Sequence, residues 1–188
     1  MANPITIDIW SDIACPWCYI GKRRLETALA RLGADADAPG VEIRYHSYEL
    51  DPGAPADYPG NHAEYLARHL KASPEQVRQM DSRITGLAAD EGLEYHLDDI
   101  KVTNTAKAHE LIHFAASQGK GPEMKERLLR AYFTEGRHIG RIADLADLAA
   151  EIGLDRAAAL RALERGEYAG AVAEDKAQAE AYGIRGVP

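Results

Sequence analysis

The stretch ITIDIWSDIACPWCYIGKRRLETALARLG, residues 5–33, changes its period halfway along. Ile5, Ile7 and Ile9 alternate with Thr6, Asp8 and Trp10, the two-residue repeat of a β-strand. Tyr19, Ile20, Leu25, Leu29 and Leu32 then recur at helical spacing until Gly33 stops the helix. Between the two periods stand Cys15, Pro16, Trp17 and Cys18, which include both cysteines of the chain. A second alternating run, VEIRYHSYEL at residues 41–50, predicts another strand. Strand, helix and strand in that order predict a crossover that lays the two strands parallel.

After the turn-rich DPGAPADYPG (residues 51–60) the pattern becomes helical from His62 to about Tyr182. Ser73-Pro74-Glu75-Gln76 reads as a capping box with proline at the first helical position, opening a helix to about Ala89. Thr103 or Asn104 is the expected cap of a helix reaching toward Gly119. Pro122 opens another, IADLADLAAEIG supplies the next, and Asp155 caps RAAALRALERG. An alanine-rich helix spans roughly Glu167 to Tyr182.

The 188 residues, 46% hydrophobic and 28% charged, suit one domain or one domain with a sizeable insertion. A formal net charge of −8 and a pI near 5.4 argue against nucleic acid or an anionic membrane surface as partner. No apolar run reaches bilayer length, and MANPITIDIW lacks the basic-then-apolar pattern of a secretory signal. A cytoplasmic location follows as the default, and there a stable structural disulfide is not expected.

Three readings of the cysteine pair stand open on the residues alone. Free cysteines are often simply buried as small apolar groups. A zinc site needs four ligands, and His109 and His113, four apart, are the only nearby pair to complete one; no metal is expected. The third reading is redox. Cys15 falls where strand turns to helix, and there exposed N–H groups and the helix dipole favour a thiolate, making Cys15 the attacking nucleophile and Cys18 the resolving thiol. Pro16 suits the start of the helix, and Trp17 sets an aromatic face beside the sulfurs.

Several stretches together resemble a known family: SDIACPWCYIGK (11–22), NTAKAHEL (104–111), AYFTEGRHIG (131–140), LAAEIGLD (148–155) and YGIRGVP (182–188). In this order they resemble the DsbA branch of the thioredoxin superfamily, and within it the FrnE-like group. The resemblance implies an α/β thioredoxin-like fold with a large all-helical insertion, divided as 1–58, 59–166 and 167–188. It implies a further strand-strand-helix segment of roughly 30 residues after Gly-Val-Pro, so that the chain is expected to stop short of it. It makes Pro188 a cis-proline facing the cysteines and gives Val187 backbone hydrogen bonds to a substrate segment, with Pro16 and Trp17 on the same substrate-binding rim.

The activity implied is thiol–disulfide exchange on a protein or small-molecule disulfide, without a cofactor or with glutathione as reductant or co-substrate. A related group, the kappa-class glutathione transferases and hydroxychromene-carboxylate isomerases, carries a serine where this chain has Cys15. With Pro16 and Trp17 between the cysteines adding no positive charge, the couple is expected to be less oxidising than DsbA itself, suited to a reductase or isomerase. Asp8, on the first strand, is the candidate buried proton acceptor for Cys18, with Asp12 as the lesser one. Lys22, Arg23 and Arg24 are read as a solvated helix face.

Overall fold

The computed structural model describes residues 4–33 and 39–187. Strands β1 (Ile5–Ser11) and β2 (Val41–Ser47) pair in parallel, from Ile5 opposite Val41 to Ser11 opposite Ser47. The crossover between them carries helix α1 (Pro16–Leu32), which starts on Pro16 after Cys15 and closes on Gly33. Proline is tolerated there because the first turn has no N–H partner to lose. The second strand is shorter than its alternation predicts. Asp12 draws the backbone N–H of Leu50 to its own carboxylate at 2.8 Å, away from any strand ladder.

Seven helices follow: α2 (His62–Leu70), α3 (Pro74–Asp90), α4 (Ala106–Ala116), α5 (Gly121–Phe133), α6 (Ile142–Glu151), α7 (Arg156–Arg165) and α8 (Ala169–Ala181). Their starts are set by local chemistry. Ser73 and Gln76 close the expected capping box on α3, and Asp155 accepts from the N–H groups of Ala157 and Ala158 on α7. Asn104 caps α4 from one residue further out, accepting from Ala106 N–H at 2.9 Å, while Thr103 donates to Ala56 instead. Asn61 caps α2 through Glu64 N–H, at the His62 start that the sequence pattern predicts.

The main core is helical. Leu111 and Phe114 of α4, Leu128, Leu129 and Phe133 of α5, and Leu145 and Leu148 of α6 are buried together, and Ile13, Tyr19 and Ile20 around the cysteines belong to the same cluster. Helix α5 also clamps α1: Glu126 accepts from Tyr19 at 2.7 Å, Lys22 at 2.5 Å and Arg23 at 2.7 Å. Lys22 is buried, Arg23 is half-buried and Arg24 stays exposed while pairing with Glu91, so of this basic run only Arg24 lies open to solvent as a solvated face would.

Alternation in the strands gives the small sheet two distinct faces. Ile9, Ser11 and Tyr45 face α1, where they enclose a cavity of about 190 Å³ with Cys18, Gly21, Lys22 and Leu25. Trp10, Asp8 and His46 lie on the other face, toward α8. There Asp175 accepts from His46 Nδ1 at 2.7 Å, Ser47 N–H at 2.7 Å and His113 Nε2 at 3.0 Å, while Trp10 donates to its carbonyl and stacks on His46.

This junction is pH-sensitive. Burial opposes the charge on both groups, but their hydrogen-bond partners outweigh it: Asp175 is held down to about 2 and His46 is raised above its ordinary value. The depressed carboxyl contributes stability above about pH 4 that is lost as pH falls toward 2. The raised imidazole contributes below about pH 6.5 and its share is lost as pH rises through its folded value. Asp175→Asn is therefore expected to cost about 1–2 kcal/mol near pH 5.5 and less at pH 8.5, read from urea denaturation at the two pH values. An equal cost at both would remove His46 from the account.

Candidate active site around Cys15 and Cys18

The strand-to-helix junction fixes both cysteines. Cys15 is the extended residue just before α1 and Cys18 lies in its first turn, with Cys18 N–H bonded to Cys15 carbonyl at 3.1 Å. Tyr95 donates to the Pro16 carbonyl at 2.7 Å and its ring stacks on Phe133 at 4.8 Å, so the helical core holds this turn from outside. Pro16 is half-buried. Trp17, 45% exposed, stands on the rim beside two sulfurs that are buried.

The thiols are hydrogen-bonded to one another and titrate as a unit. That bond raises Cys15, burial adds to the rise, and the N–H groups of Trp17 and Cys18 oppose it. The same bond lowers Cys18, helped against burial by Ser11, the Asp12 backbone and the charge of Lys125. In the closed pair the negative charge therefore favours Cys18. Helix position points to Cys15, and the charge of Lys125 acts on the Cys18 side of the pair.

Asp8 does not stand under the pair. It lies on the α8 face of the strand, exposed, where it accepts from His46 at 2.9 Å, whereas Cys18 faces the opposite side. The buried acid is Asp12, 1% exposed, which meets His109 Nε2 at 3.2 Å and Leu50 N–H at 2.8 Å. Burial works to raise its carboxyl, but His109, Leu50 and Thr105 together lower it. Its position, three residues before Cys15, was visible in the sequence; its burial was not.

His109 and His113 go to separate partners, Asp12 for one and Asp175 with Ser47 for the other. Among the described residues no group of three or more His, Cys, Asp or Glu side chains is arranged to hold a metal ion. Val187 is half-buried, and Pro188 lies outside the described residues. Beside the cysteine turn, Asp12 and Ala14 form one wall of a cavity of about 270 Å³, closed by His62, Tyr65 and Leu66 of α2 and by Tyr132.

A helix starting on a cysteine pair at the end of a parallel strand, with a helical region over it, agrees with a sequence-profile match over residues 6–188 to the DSBA-like thioredoxin domain. The chain belongs to the DSBA-like thioredoxin domain family. The uncharacterized protein YwbO of Bacillus subtilis is 32% identical over 166 residues, 87% of this chain and 74% of that one. The crystal structure of a probable DsbA oxidoreductase from Streptomyces coelicolor is 35% identical, with a TM-score of 0.89 over 98% of this chain and 78% of the other. The cytosolic disulfide reductase DsbM from Pseudomonas aeruginosa, solved with GSH, shares the fold at 24% identity, with a TM-score of 0.63 over 98% of this chain and 84% of its own. The two strands and eight α-helices of the described residues are thus the DsbA-like form of the thioredoxin fold. No helix among the described residues is long and apolar enough to cross a membrane.

Proposed function

We propose that the protein is a cytoplasmic thiol–disulfide oxidoreductase that uses Cys15 and Cys18 as its redox couple. The observation that carries this reading is the hydrogen-bonded cysteine pair at the start of α1, in a chain of the DsbA-like family. Cys15 attacks one sulfur of a substrate disulfide, passing its proton along the existing hydrogen bond to Cys18. A mixed disulfide forms on Cys15 and the first substrate thiolate leaves. Cys18 then attacks the Cys15 sulfur and its proton passes to the departing substrate sulfur, so that two electrons have passed to the substrate, which leaves as one thiolate and one thiol. Two thiols of a reductant such as glutathione restore the dithiol.

The assignment of attack to Cys15 rests on its place just before α1, where the N–H groups of Trp17 and Cys18 favour its thiolate and exposed Trp17 stands beside it. Pro16, Trp17 and the Val187 backbone are the proposed substrate rim, with Pro188 as the family's facing proline. The glutathione bound in the related reductase supports glutathione as the returning electron source.

Cys18→Ser, treated with glutathione disulfide, is expected to accumulate one glutathione per chain on Cys15, seen by intact mass and peptide mapping. Wild-type protein is expected to pass through that adduct without accumulating it. If both thiols resist alkylation in the folded protein and no adduct forms, the site is a binding module centred on the cavity beside Asp12, and the redox reading fails.

A further inference from the structure

Helix α5 buries Met124, Leu128, Leu129 and Phe133, and among them a lysine. Lys125 is 1% exposed, and its ammonium forms no ion pair with a carboxylate of the described residues. It lies 4.8 Å from the centroid of the Tyr45 ring, and Tyr45 is a wall of the same cavity that Cys18 lines. A buried ammonium is costly unless an anion faces it.

The charged and titratable groups around it can be named from each side. From α1 come Cys18 and Lys22; from the turn before α1, Asp12 and Cys15; from β2, the Tyr45 ring. Lys22 repels it and is itself held by Glu26 and Glu126, at 2.5 Å each. Asp12 is engaged by His109 and Leu50. Asp12 still attracts the ammonium from there, and the other anion that can match Lys125 is the thiolate of the cysteine pair. The strand positions facing the cavity, Ile9, Ser11 and Tyr45, bring no cation of their own.

We propose that Lys125 is the positioning residue that sets the charge state of Cys18, its ammonium serving as counter-ion to the Cys18 thiolate. The helical region, through α5, thereby tunes a redox couple mounted on the strand-helix junction. This rests on the proposed redox function and says where its potential comes from. Oxidation to the disulfide removes the thiolate and leaves Lys125 buried with Asp12 as its remaining nearby anion, so the ammonium favours the reduced form. The absence of positive charge between the cysteines is then offset by one placed behind them.

Burial brings Lys125 down to about 8, the cysteines and Asp12 pulling the other way. Its support of the thiolate is accordingly present below that pH and fades above it.

The test isolates Cys18. In Cys15→Ser, thiolate absorbance near 240 nm reports the Cys18 titration alone. Adding Lys125→Met is expected to move that titration up by at least about one pH unit, with Lys125→Arg restoring part of the shift. With both cysteines present, Lys125→Met is expected to shift the glutathione equilibrium at least about tenfold toward the disulfide, about 30 mV more reducing. Lys125→Gln serves if the methionine variant does not fold. A Cys18 titration that superimposes with and without the lysine, in a chain with native circular dichroism, overturns the inference and leaves Lys125 a packing residue. A wild-type protein that exchanges no disulfide with glutathione, yet shows the Lys125-dependent titration, overturns the redox function instead.

Discussion

Cys15→Ser lowers the rate of insulin-disulfide reduction at least about a thousandfold, the expected result if Cys15 is the attacking sulfur. A hydroxyl in that position does not ionise in the working pH range and cannot form the mixed disulfide. The substitution changes one buried atom and keeps a donor to Cys18, so the melting temperature is expected to move little. Its informative partner is Cys18→Ser, which retains single attack and the trapped adduct while losing turnover. The two thiols share a hydrogen bond, and the two variants together tell which of them attacks. If Cys15→Ser keeps more than about a tenth of the wild-type rate, Cys18 itself is the nucleophile and access through the α1 cavity must be wider than its lining shows.

The second large effect lies at Asp12. Asp12→Ala is expected to destabilise the fold by about 3–5 kcal/mol in urea denaturation at pH 7, because it strips a buried carboxylate from His109 and from the Leu50 N–H in one change. Asp12→Asn keeps the volume and part of the hydrogen bonding and is expected to cost about half as much. The pH dependence has a definite sign. A carboxyl held below its ordinary value of about 3.9 contributes stability above that pH and loses it as pH falls through the folded value. The wild type should therefore lose stability below pH 4 more steeply than Asp12→Asn does. Since Asp12 joins the cysteine turn to α4, Asp12→Ala should also lower exchange activity at temperatures where the chain is still folded. Parallel acid-unfolding curves for wild type and Asp12→Asn, or a cost below 1 kcal/mol for the alanine, would show that His109 and Leu50 find other partners.

Local patterns carried much of this architecture. The alternation of Ile5, Ile7 and Ile9, the helical spacing from Tyr19 to Leu32, the Ser73 box and the Asp155 cap each depend on residues within one or two turns of one another. Such interactions are readable in a chain because the partners are its near neighbours. The boundary that shifted involves distant partners: β2 ends opposite Ser11, the last residue of β1, and beyond it Leu50 N–H goes to Asp12, 38 residues away.

The sequence by itself determined the parallel β–α–β unit, the helical run after it and the cysteine pair at the junction, since period and capping are local properties of the backbone. The tertiary structure alone decided which acid is buried, because a strand's alternate residues part to opposite faces and Asp8 took the α8 side with His46. It alone brought Lys125, more than a hundred residues along the chain, over the Tyr45 ring that walls the cavity lined by Cys18. It also joined His113 and Asp175 to the end of β2. Charge acts through space at a few ångströms, and only packing fixes those distances.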